Sequence, residues 1–187
     1  MNHSISKRNA LSSSPKGFTL VELLIVVSIM AVLTAIILAS FQTARAKTRD
    51  TVRFSELVQL RTALNRYYSE NGSFPSTPNQ WYSSEPTDAN FSNNGGNWIP
   101  GLVASGMVPV LPRDPLGGRS TNAVCAAAVP PFTRAFVYKS DGVNYKLISI
   151  CAIEVGSIAA SNPFYDPIRP TQSAAQVSSS PTVSATW

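Results

Sequence analysis

Three hydrophobic rhythms follow one another along the chain. Residues 18–41, "FTLVELLIVVSIMAVLTAIILASF", are apolar almost throughout, with Glu22 as the one formal charge. At about 1.5 Å of rise per residue, this run makes a helix of roughly 36 Å, enough for a bilayer core. A 3.6-residue period then takes over. Phe54, Leu57, Val58, Leu60, Leu64, Tyr67 and Tyr68 gather on one side, and Ser55, Gln59, Thr62, Arg66 and Glu70 lie opposite. No Pro falls between Phe18 and Phe74 and no Gly between Phe18 and Asn71, so nothing obliges the helix to stop before the Asn71-Gly72 pair. The pattern predicts one helix over 18–71, about 80 Å long. Arg53 and Arg61 fall within its apolar arc and must snorkel or pair.

Farther on the period becomes two. Residues 135–139 and 143–153 read as strands joined at Asp141-Gly142, a strong hairpin signal. Val143, Tyr145 and Leu147 alternate with Asn144 and Lys146, as in a half-buried strand, which predicts an antiparallel sheet packed on the long helix. Between helix and hairpin the chain is rich in Pro, Gly, Asn and Ser. It reads as a long irregular connection with one short helix near 102–105. From Ser157 onward Ser, Thr, Pro and Ala dominate and only Asp166 and Arg169 are charged, which predicts a mobile tail.

Composition narrows the function. With 187 residues, 44% hydrophobic and 13% charged, the chain has room for one modest domain beyond the apolar run. The net charge of +5 invites an anionic partner, but Lys7, Arg8 and Lys16 all precede that run; without residues 1–17 the count is 12 basic minus 10 acidic, or +2. A nucleic-acid surface would have to be built from Arg113, Arg119, Arg134, Lys139 and Lys146. The only histidine is His3, and no catalytic triad, zinc spacing or phosphate loop follows it, so the sequence argues against an enzyme. Cys125 and Cys151 suit one disulfide if the domain is exported and two buried thiols if it is not.

Glu22 is the anomaly, since a carboxylate at a membrane-helix centre costs about 2.5 to 3.5 kcal/mol and needs a partner. One reading is a secretory signal peptide, with Ala44-Arg45-Ala46 as a small-x-small cleavage site, although 18–41 is longer than such a peptide's apolar region and carries an acid. A second is an ordinary single-pass anchor in which Thr19-Leu20-Val21-Glu22 is a capping box, Thr19 at N-cap and Glu22 at N3. In the third, cleavage falls before the apolar stretch. "KGFTLVE" resembles the class III signal of type IV pilins and type II secretion pseudopilins.

That resemblance implies a prepilin peptidase that cuts between Gly17 and Phe18 on the cytoplasmic side, followed by N-methylation of Phe18. Glu22 becomes the fifth mature residue, and its carboxylate is expected to meet the amino terminus of a neighbouring subunit in a filament. Capping and assembly are compatible, because a carboxylate has lone pairs for both. Downstream, "YY..NG.FP" (Tyr67, Tyr68, Asn71, Gly72, Phe74, Pro75) and "LP.DP" (Leu111, Pro112, Asp114, Pro115) are similar to major, G-type pseudopilins. The implied fold is α+β, a pilin-like lollipop whose long N-terminal helix, transmembrane in its first half, packs on a small antiparallel sheet. Many relatives carry Pro and Gly where this chain has Ala39 and Ala31, so its helix is expected to stay straighter.

The family also implies partners: copies of itself and other pilins, an inner-membrane assembly platform and the membrane, with the leader inside and the remainder outside. A structural calcium in relatives makes Asp114, Asp141 and Asn144 conceivable donors, although their spacing fits turn formers better. These readings divide the chain into a leader (1–17), a membrane and assembly helix (18–41), its soluble half (42–72), a head (73–156) and a tail (157–187). A DNA-uptake pilin and a membrane-anchored binding protein that never polymerises are the competing classes.

Overall fold

The computed structural model describes residues 17–93 and 95–187, without side-chain detail at Ala39 and Asn93. His3, Lys7, Arg8 and Lys16, and with them the leader up to residue 16, lie outside the described residues. Helix α1 runs Leu20–Asn71. It stops where the sequence predicts, at Gly72, which adopts a left-handed φ of 72° and donates its amide to Tyr68 O at 2.8 Å. The chain divides after Phe41 into two compact units.

In the first unit the described residues are Gly17, Phe18 and Thr19 and then α1 as far as Phe41. Its large apolar side chains are exposed throughout, from Leu20 at 80% to Phe41 at 56%, so none of the described residues covers them. Ser28 Oγ and Thr34 Oγ1 donate to Leu24 O and Met30 O, each at 2.7 Å, so their hydroxyls are satisfied within the helix.

The second unit, 42–187, is built on a five-stranded sheet of order β2-β1-β3-β4-β5. Its strands are β1 (Tyr82–Ser83), β2 (Ser92–Asn93), β3 (Ala135–Ser140), β4 (Tyr145–Ile150) and β5 (Ala175–Ser178). The ladders β1–β3, β3–β4 and β4–β5 are antiparallel; only the two-residue pairing of β1 with β2 is parallel. On one face Phe136, Tyr138, Tyr145, Leu147, Ala175 and Val177 form a core with Leu57, Leu60, Ala63 and Leu64 of α1. The helix seam therefore packs on the sheet as its periodicity predicts. The stretch after the helix is pinned to the hairpin: Phe74 N donates to Gly142 O, Tyr138 Oη donates to Pro75 O (both 2.8 Å), and the rings of Phe74 and Tyr145 lie 4.7 Å apart.

Four expectations are corrected. The hairpin turn is a four-residue loop, 141–144, because Asp141 Oδ1 accepts the amides of Val143 and Asn144, an Asx turn that holds Ser140 opposite Tyr145. Val143 consequently leaves the strand and is 72% exposed. Strand β4 is buried on both faces rather than one: Ile148 and Ile150 join a second core with Cys125, Ala135, Val137 and Cys151, and Lys146 is buried with Asp166. The segment 157–187 is no mobile tail, since it supplies β5, helix α3 (Pro181–Thr186) and the buried Asp166. Residues 101–106 form hydrogen-bonded turns, Ser105 N to Gly101 O among them, where a short helix was expected; Gly101 and Gly106 both take positive φ, which interrupts helical geometry.

Candidate processing and assembly site

Gly17 and Phe18 precede the first helical turn and are open to solvent. Phe18 is 84% exposed, and among the described residues, chain neighbours aside, no atom stands within 4 Å of where a Cβ on Gly17 would lie. The peptide bond between them is therefore unobstructed by the described residues. Two residues on, the capping box is complete. Thr19 donates both its amide (2.8 Å) and its hydroxyl (2.9 Å) to Glu22 Oε2, and Glu22 N donates back to Thr19 Oγ1 at 3.2 Å. The negative charge thus sits at the positive end of the helix dipole. Glu22 Oε1 has no partner among the described residues. One carboxylate oxygen is spent on local order and the other is open.

The other singled-out residues fall into separate places. Cys125 and Cys151 are joined as a disulfide, with Cα atoms 6.0 Å apart. Cys125 lies in the five-residue helix α2 (Ala123–Ala127), which Asn122 caps through Oδ1 to the amides of Val124 and Cys125. Of the conceivable calcium donors, Asp114 is buried against Arg53, whereas Asp141 and Asn144 belong to the hairpin loop, where Asn144 Oδ1 accepts from Ser179. Their oxygens serve two unrelated networks. Among the described residues no group of three His, Cys, Asp or Glu is placed to hold a metal.

The basic patch considered for nucleic acid does not form. Lys146 is fully buried and bonds Asp166 Oδ1 at 3.0 Å. Lys139 is drawn over the rings of Trp187 (4.8 Å) and Trp81 (5.8 Å), and Arg134 is turned onto the carbonyls of Gly117 and Arg119. Of the five, Arg113 and Arg119 alone are exposed.

Two buried ion clusters were not foreseen. Arg53, the misfit of the helix stripe, is 0% exposed and donates to Asp114 (2.7 and 3.0 Å), Asp50 (2.8 Å) and Glu154 (2.8 Å). Glu154 also takes both arms of Arg49, and Asp50 receives the amides of Glu154 and Val155. The Arg49 hydrogen bonds pull the Glu154 carboxyl down to about 2, and the guanidinium of Arg53, despite its burial, is held above its usual range by its three carboxylate partners. In the second cluster Lys146 meets Asp166 and the backbone oxygens of Ser184 and Trp187, and Arg169 bridges Asp166 Oδ2 and Trp187 O. Burial lowers the Lys146 ammonium from its ordinary value while Asp166 opposes the shift. The one local signal for the first cluster was Arg53 itself, a cation at a core position three residues after Asp50.

Comparison with known proteins bears on the amino-terminal segment. Residues 13–38 match the family model of the prokaryotic N-terminal methylation motif. The chain is 37% identical to a fimbrial protein of Neisseria meningitidis serogroup A over 35% of its own length and 39% of that protein. It is 29% identical to type II secretion system core protein G of Pectobacterium carotovorum over 54% of its length and 62% of that relative, and 27% identical to core protein G of Klebsiella michiganensis over 56% and 70%. The matches thus span 39% and 62% of the first two relatives' own lengths. No solved structure matches the chain. The chain carries the N-terminal methylation motif and is similar in sequence to type IV pilins and to type II secretion pseudopilins.

Proposed function

We propose that this protein is a structural subunit of a type II secretion pseudopilus or a type IV pilus, stored in the cytoplasmic membrane and polymerised through its apolar helix. Its α1 is long and apolar enough to cross a membrane, and none of that apolar window is buried among the described residues. Such a surface requires lipid or other helices around it. In this reading a prepilin peptidase cuts between Gly17 and Phe18 on the cytoplasmic face, Phe18 is then N-methylated, and the head lies outside. The chain contributes no catalysis; its Gly17–Phe18 bond is the peptidase's substrate. An assembly platform in the inner membrane would feed subunits into the filament.

The observation that carries the proposal is the half-used carboxylate of Glu22. Thr19 occupies Oε2 and leaves Oε1 for a cation. Cleavage before Phe18 creates such a cation, a new amino terminus, on every subunit that enters. An ion pair in a low-dielectric helix bundle has a high cost if left unmade, so the axial register in which neighbouring subunits meet is selected. Mass spectrometry of sheared filaments tests this directly. The expected terminus is N-methyl-Phe18; an intact bond after Gly17 in polymerised material would overturn the reading.

A further inference from the structure

A cavity of about 420 Å³ on the head has an unbalanced supply of hydrogen-bonding groups. Its walls include Gln42, Ala46 and Arg49 from α1, Thr121, Arg134 and Glu154. Glu154 is the only carboxylate among the described lining residues, and both its oxygens already face cations: Oε1 accepts from Arg49 Nε (2.7 Å) and Arg53 Nη1 (2.8 Å), and Oε2 from Arg49 Nη2 (2.5 Å). Arg134 is the converse case. Its guanidinium bonds only neutral oxygens, those of Gly117, Arg119 and Thr121, so its positive charge has no carboxylate partner among the described residues. The Thr121 hydroxyl accepts that bond and donates none. What the cavity still offers is donors and positive charge, which suits a ligand made of acceptor oxygens bearing negative charge.

Helix spacing adds another cation. Gln42, Arg45, Ala46 and Arg49 stand at i, i+3, i+4 and i+7, one stripe of α1, and Arg45 is exposed with no hydrogen bond or ion pair among the described residues. Gln42 is also the residue that follows the apolar run. In a chain whose residues 18–41 lie in a bilayer, the next turn or two occupy the headgroup layer, roughly 5 to 8 Å deep. The ligand class follows from that place. We propose that this cavity, together with Arg45, seats the phosphate of an anionic phospholipid at the outer surface of the membrane. The proposal rests on the membrane reading of residues 18–41 and concerns the subunit before it is drawn into a filament. It also accounts for basic residues on the flank that faces away from the leader, where charge rules for topology disfavour them.

Native mass spectrometry of the detergent-solubilised full chain, offered phosphatidylglycerol and phosphatidylcholine at equal concentration, tests the site. Selective retention of phosphatidylglycerol is expected. Arg45→Gln, which removes no bond in the fold, should lower it about fivefold, the effect of one cation near an anionic surface. Arg61→Gln, an equal loss of charge 16 residues along the same helix, should leave retention unchanged. Equal retention of the two lipids, an equal fall with Arg61→Gln, or displacement of the lipid by inorganic phosphate at matched concentration would each overturn the proposal. Carbonate extraction of membranes separates the two levels of the argument. A chain that stays inserted but retains no phosphatidylglycerol loses the lipid site alone, whereas a chain released by carbonate loses the membrane reading as well.

Discussion

Residues 18–41 and the head treat their charges in opposite ways. In the apolar segment the single carboxylate has one oxygen bound to Thr19 and one unengaged, at a position where the described residues offer no cation. In the head, by contrast, Arg53, Asp114, Lys146 and Asp166 are buried and all are bound: the guanidinium of Arg53 touches three carboxylates, and both oxygens of Asp166 are occupied. A buried ion that finds its partners at home fixes a fold, while one that lacks them points to another molecule. Under the proposed function, the surface through which subunits meet therefore lies in the least globular part of the protein.

The difference can be broken at several points, and the largest effect should come from Glu22→Ala. This change should abolish most filament while the precursor accumulates in membranes and the thermal unfolding of the head stays unchanged. A parallel loss of head stability would erase the distinction. Arg53→Met is the reciprocal experiment. It leaves Asp50 and Asp114 without their cation and Glu154 with Arg49 alone, and should destabilise the head by about 3 to 5 kcal/mol in denaturant titrations of the full chain.

Acid sharpens the same contrast by a smaller amount. Glu154 titrates at about 2 when folded against an ordinary 4.5, so its contribution is present above about 4.5 and is lost as pH falls toward 2. Near-UV circular dichroism across that window should report weakening of the head, and Glu154→Gln should flatten the dependence. Smallest of all is Thr19→Ala. It removes the cap but leaves the Glu22 charge, costs about 1 kcal/mol at the helix end, and should reduce filament yield far less than Glu22→Ala. Equal losses would make capping the whole role of Glu22.

The parts of the fold that the sequence announced are those written locally. The uninterrupted helix, its stop at Asn71-Gly72, the Thr19/Glu22 box and the strands around the hairpin depend on residues within a few positions of each other. The misses were non-local. Arg53 meets Asp114 across a sequence separation of 61 and Glu154 across 101, and no short pattern encodes such a pairing. Strand β5 was missed because Ser, Ala and Gln dominate it; only Ala175 and Val177 alternate inward, and they become core only once Leu147 pairs with Val177. The half-buried reading of β4 failed for the same reason, since Asp166, from the segment taken as mobile, is what allows Lys146 to be enclosed. The N-terminal methylation motif was the most legible of all, because its signal is a contiguous string.

One detail of the C-terminal segment bears on how the protein is handled in the laboratory. Lys146 Nζ and Arg169 Nη1 both grip the backbone oxygen of Trp187, and the indole of that residue shields Lys139. A fluorophore or epitope introduced among residues 184–187 would therefore pry at a clasp on the centre of the sheet. Val143, 72% exposed on the hairpin loop, is where a side-chain label can ride clear of the core.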